Sequence, residues 1–179
     1  MTESIYGLIK AGKGTLIGNA GEYFVVGELL RRGIVAALAP RNTPGFDVVA
    51  VDGMASANIR VKTRTAAADS WTWQAKSDGA IFRDVTENDF TVMVDLKEAG
   101  LNVDYYIVRT EDLEESLVRD YNHWLATPGG GGRERREHKM RRCGNWDPHL
   151  AWLDGARGSW QVITDWLKAS KVEQKGKRK

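Results

Sequence analysis

Cysteine is almost missing from this chain of 179 residues: Cys143 stands alone. No internal disulfide can staple the fold, so its stability has to come from a buried apolar core, and a reducing compartment is the natural setting. The chain also lacks any apolar run approaching the roughly 20 residues of a membrane span, and it opens on nothing that resembles a signal peptide. A cytoplasmic protein with no membrane partner is the expectation. Net charge is nearly absent too, at +2. There is no internal repeat. What is present is ordinary for a soluble globular protein, 42% hydrophobic and 28% charged residues in about one domain's length of chain.

The small net charge hides an uneven distribution. Residues 133–142 hold six Arg or Lys against two Glu, and residues 171–179 hold five against one, which leaves 15 basic and 21 acidic side chains elsewhere. An acidic body with two basic segments can meet a polyanion at those segments. The tail reads equally well as a solubilising end.

Local patterns divide the chain into short elements. Leu16–Arg32 reads as a helix, stopped by Gly33. Three β-like runs follow, Ile34–Ala39, Phe46–Asp52 and Asn58–Thr65, separated by Pro40–Gly45 and Asp52-Gly53, both with turn chemistry. Such short loops predict antiparallel neighbours. Phe90–Leu96 and Asp104–Arg109 are two further strands, with Trp71-Thr72-Trp73 a short sixth. Glu111–Leu125 reads as a helix with Thr110 as N-cap and acidic residues at its positive end. Pro128 and Gly129–Gly132 predict a flexible break. Beyond it, Trp146, Trp152, Trp160 and Trp166 read as packing anchors for a last helix near Ser159–Ala169. The order predicts an α/β fold with a mixed central β-sheet flanked by helices. Residues 1–125 form the core, and 126–179 are a hinge, a basic segment and a C-terminal helix packed on or appended to it.

Three residues stand out within these elements. At about 100° per residue, Glu22 falls inside the apolar arc of its helix, between Val26 and Leu29. A carboxylate facing a core must find a cation or donors; a buried salt bridge to Lys62 is the plain explanation. Asp47 interrupts an otherwise apolar strand at its start. On the next strand Asn58, Arg60, Lys62 and Arg64 share one face, which taken alone reads as a solvated face.

Taken together, Gly21-Glu22 in the helix, the stop at Gly33, Asn42, Phe46-Asp47 and Ile59-Arg60-Val61-Lys62-Thr63 resemble the core of the PD-(D/E)XK, or restriction endonuclease-like, nucleases. The resemblance covers about residues 16–65 well and the strands at 90–109 loosely. It implies a divergent nuclease core that hydrolyses DNA phosphodiester bonds with Mg²⁺ or Mn²⁺. Asp47 would be a direct metal ligand and Glu22 a second ligand or the holder of a metal-bound water. Lys62 would orient the nucleophile and stabilise charge on the phosphate. Phosphate contacts would come from Lys13, Arg64, Arg133, Arg135, Arg136, Lys139, Arg141 and Arg142, giving affinity that is largely indifferent to sequence and falls with salt. A homodimer is compatible with this reading. The chain departs from the pattern at Arg60, where the family has Glu or Gln. Arginine cannot ligate a metal. It either fills the cation's place against Asp47, leaving an inactive DNA-binding or protein-interaction module, or holds the scissile phosphate.

Two other signals are discounted. Gly7–Gly14 nearly matches a phosphate-binding loop but ends in Gly14 where a hydroxyl is needed, so no nucleotide cofactor is expected. His138, Cys143 and His149 have no zinc-ligand spacing.

Overall fold

The computed structural model describes residues 13–97, 102–144 and 152–176, with side chains described for 15–97, 102–144 and 152–170. Helix α1 runs Lys13–Arg31. It ends on Gly33, whose φ of 77° only glycine adopts cheaply, with Gly33 N–H donating to Leu30 and Ile34 N–H to Leu29. This is a Schellman closure, and it turns the chain directly into the sheet. Strands β1 (Val35–Leu38), β2 (Val48–Asp52) and β3 (Ala55–Arg64) follow. They pair antiparallel, as the short loops predict.

Strand β5 (Asp89–Asp95) then pairs parallel to β3, and β6 (Asp104–Arg109) antiparallel to β5, giving a five-stranded mixed sheet in the order β1-β2-β3-β5-β6. A parallel neighbour requires a crossover. Residues 65–88 supply it and carry β4 (Trp71–Gln74), which lies outside the main sheet. Its partner is β7 (Met140–Cys143), from the end of the basic segment, so that segment ends in a strand.

The sheet is covered on both sides. Val25 and Leu29 of α1, with Trp160, Ile163 and Leu167 of the C-terminal region, pack against Val48, Ile59, Phe90, Val92 and Val94. Helix α4 (Gln161–Gly176) delivers Ile163 and Leu167 fully buried, each contributing about 1.5–3 kcal/mol. On the opposite side Leu113 and Leu117 of helix α2 (Thr110–Ala126) and Leu153 of helix α3 (Trp152–Ala156) meet Trp71, Phe82, Met93 and Tyr106. Every residue of β5 is buried, its apolar Phe90, Val92, Met93 and Val94 together with Asp89, Thr91 and Asp95. Two local expectations change. Thr110 does not cap α2 with its side chain; its hydroxyl pairs with that of Thr91 at 3.0 Å, inside the core. Gly129–Gly132 form a hydrogen-bonded turn, Gly129 N–H to the Arg133 carbonyl at 2.8 Å. Among the described residues no helix is long and apolar enough to cross a membrane.

Candidate active site

The site lies where β2 begins and the second half of β3 passes it. Asp47 precedes β2 by one residue, yet its N–H still donates to the Ile59 carbonyl and its own carbonyl accepts from Ala39. Past that point β3 has outrun its partner. The Asp47 carboxylate takes over the ladder, its Oδ2 accepting the Val61 N–H at 2.7 Å. A buried N–H left without an acceptor is costly, so the same hydrogen bond that satisfies β3 also fixes the direction of the carboxylate.

Glu22 reaches the same place from α1. The helix can lie this close because of Gly21: a Cβ there would fall inside the Thr63 hydroxyl of β3. Gly21→Ala is therefore expected to lower stability by about 1–3 kcal/mol through overpacking, and Thr63→Ala in the same chain should restore most of it. Thermal denaturation of the single and double variants measures both. Burial and the neighbouring Asp47 charge raise the Glu22 pKa above its ordinary value, and Arg41 partly offsets them. Arg41, not Lys62, is the cation that Glu22 feels. Sequence reasoning missed Arg41 because it sits in the turn before Asp47, where a loop cation carries no periodic signal.

Lys62 approaches Asp47 from the other side. Burial pushes its ammonium down, and the Asp47 charge opposes that shift. Two adjoining hollows share Asp47. One, of about 210 Å³, also opens on Arg60, Lys62, Trp73 and Phe82. The other, of about 260 Å³, opens on Glu22, Arg41 and Asn42. Two acids and an amine therefore converge from a helix, a strand start and a strand.

The polar face of β3 is half-buried rather than open. Each cation on it lies over an aromatic ring: Arg60 over Phe82 at 5.3 Å, Lys62 over Trp73 at 5.8 Å and Arg64 over Trp71 at 3.9 Å. The rings come from β4 and the segment after it, so period-two cations meet a period-two aromatic strand. Arg60 does not take a cation's place on Asp47. Its Nη2 donates to the Arg83 carbonyl at 3.3 Å, and its buried Nε has no partner. Arg64 is a correction to the expected phosphate contacts: its side chain, only 9% exposed, is held by Asp95 at 2.7 Å. Arg141 is another, since it is 8% exposed and lies 3.4 Å from the centre of the Tyr121 ring. Arg135 leans on Trp124, while Arg133, Arg136, Lys139 and Arg142 are exposed. The Lys13 side chain, most of the Gly7–Gly14 loop, Trp146 and His149 lie outside the described residues; Cys143 is buried in the second core cluster.

Could these residues hold a metal ion? Among the described residues no cluster of three or more His, Cys, Asp or Glu is arranged to hold one. Two carboxylates beside a polar hollow do fit Mg²⁺, which commonly takes one or two carboxylates, several waters and a substrate phosphate.

No protein-family model matches the sequence, and no curated protein matches it. Among solved structures the chain is similar to the bacterial homing endonuclease I-Ssp6803I, with 12% identity and a TM-score of 0.48 over 90% of this chain and 96% of that one. It is also similar to Hjc, a Holliday junction resolvase from the archaeal hyperthermophile Archaeoglobus fulgidus, with 14% identity and a TM-score of 0.37 over 72% of this chain and 84% of that one.

Proposed function

We propose that this protein is a restriction endonuclease-like enzyme that hydrolyses DNA phosphodiester bonds with Mg²⁺ or Mn²⁺. The observation that carries the reading is Asp47 shared between two hollows, with Glu22 on one side and Lys62 on the other. Asp47 and Glu22 would hold the ion, which when bound neutralises phosphate charge and acidifies a water. Lys62 orients that water and stabilises negative charge at the phosphate. Arg60, whose guanidinium lines the same hollow, holds the phosphate in place of a third metal ligand. The exposed cations Arg133, Arg136, Lys139 and Arg142 add contacts to the DNA backbone.

The test is incubation of supercoiled plasmid with the protein and Mg²⁺ or Mn²⁺, with a chelator control. Nicking is expected with metal alone, and Lys62→Ala should slow it at least about 100-fold, the scale of losing one charge-stabilising group. Arg60 in the metal-ligand position supports a second reading, a non-catalytic DNA-binding module. Salt-sensitive retention of DNA without any nicking, under both metals, would select that reading instead.

A further inference from the structure

A hollow other than the two at Asp47 combines aromatic and basic groups. It lies between α2 and β7, encloses about 690 Å³ and is lined by Tyr121, Trp124, Arg135, His138, Arg141 and Arg142. That volume is in the range of small-ligand pockets. Its walls are flat π systems. Tyr121 and Trp124 stack with ring centres 5.7 Å apart and planes 23° from parallel, and the His138 ring sits 4.8 Å from Trp124. Guanidinium groups lie on the same rings, Arg135 at 4.6 Å from Trp124 and Arg141 at 3.4 Å from Tyr121.

Two facts argue against a mere packing cluster. Arg141 is more than nine-tenths buried on this wall; its Nη1 donates to the His138 and Met140 carbonyls, while its Nε has no hydrogen-bond partner. A buried guanidinium donor left open is costly in a pocket that takes no anion or acceptor. Second, the lining holds three arginines against one carboxylate, Asp120, which pairs with Arg119 at 3.7 Å. An aromatic cage built for a cationic ligand would need the opposite sign. Flat rings with arginines suit a flat, electron-rich ring attached to an anion.

The pocket also adjoins the candidate active site. Trp73, which lines the Lys62 hollow, is paired directly with Arg141 across the β4–β7 ladder. Directly opposed residues in such a ladder stand about 5 Å apart.

We propose that this pocket binds an unstacked nucleobase of a single-stranded or frayed segment of DNA, the base against Trp124 and its phosphate on Arg135 and Arg142. The inference rests on the reading of DNA as the partner. It names what that reading leaves open, namely that the preferred substrate has a base out of the duplex.

The experiment is done with a chelator present, so that no cleavage enters. Binding of the full-length protein to three probes of equal length is measured by fluorescence anisotropy: a single-stranded oligonucleotide, the matched blunt duplex and an abasic single strand. The single strand should bind more tightly than the abasic strand. Trp124→Ala should weaken single-strand binding by roughly 10-fold, the scale of losing one stacking contact, and leave abasic binding unchanged. Trp124→Phe, which retains a ring, should bind within a few-fold of wild type and guards against a folding defect in the alanine variant. Equal affinity for abasic and normal strands, or equal loss for all three probes on Trp124→Ala, would overturn the pocket, as would full competition by a polyglutamate peptide. Base-dependent binding without plasmid cleavage would sink the nuclease reading and leave the pocket standing. Cleavage without base-dependent binding would do the reverse.

Discussion

Asp47→Asn is expected to abolish metal-dependent cleavage, by at least about 100-fold, while leaving the fold intact. The choice of asparagine matters. The Asp47 Oδ2 accepts the Val61 N–H where β3 has run past its partner strand. Asparagine keeps an acceptor of the same shape there, so the N–H stays satisfied and only the charge is lost. Asp47→Ala would also orphan that donor, at a cost of about 1–3 kcal/mol. Comparing the two variants separates chemistry from stability. If Asp47→Asn cleaves plasmid like the wild type while folded normally, Asp47 holds no metal.

The pH profile should follow the same residues. Glu22 is raised by burial and then by the Asp47 charge, and its ionised form is the one that can hold a cation. Activity should therefore rise with pH on an acid limb displaced above the ordinary glutamate value. In Asp47→Asn the second cause disappears, so the Glu22 titration, followed by NMR, should move down. On stability the sign is opposite: a carboxyl raised in the folded state binds more protons than in the unfolded chain, so its contribution falls as pH rises through that window. Lys62, depressed by burial, should lose its proton below the ordinary lysine range and set a descending alkaline limb of activity.

Local order in this chain was legible because its signals are local. The Gly33 stop, the turn at Asp52-Gly53 and the alternation of β3 each depend on a few adjacent residues, and Glu22 was conspicuous as an acid on an apolar helix arc. The pairing of distant segments was not legible. Nothing near Arg60, Lys62 and Arg64 indicates that Phe82, Trp73 and Trp71 will cover them, so a row of cations reads as a solvated face. Alternating aromatics in the 71–82 connection were the available sign. In the same way Arg141 looks like an exposed cation within a basic segment, and only the pairing of β7 with β4 carries it under Tyr121. Arg41 escaped notice because a turn imposes no period.

Asp95→Ala should be the most damaging of the charge deletions, costing about 3–5 kcal/mol, because it takes the countercharge from a nearly buried cation. Arg64 and Asp95 meet at 2.7 Å across the parallel β3–β5 pair, with side-chain exposures of 9% and 4%. Burial alone would raise the Asp95 pKa, but hydrogen bonds from Arg64 and Lys97 outweigh it and hold the carboxyl below the ordinary aspartate range. For such a depressed carboxyl the stabilisation is fully present above the unfolded value and disappears as pH falls through the folded one. The wild type should therefore lose this contribution only in strong acid, and Asp95→Ala should lack that loss. For a chain of this length the expected drop in melting temperature is roughly 10 °C at neutral pH. The outer pair provides the control. Arg157 is 59% exposed where it meets Asp104 and does not touch Asp95, so Arg157→Ala should cost no more than about 1 kcal/mol. Replacing both inner partners with leucine or methionine should recover much of the loss, since burying two charges is itself expensive. A melting temperature for Asp95→Ala within about 2 °C of wild type would mean that the Trp71 ring, 3.9 Å from the Arg64 guanidinium, and the Asp69 carbonyl, 2.7 Å from its Nη1, hold that arginine without the carboxylate.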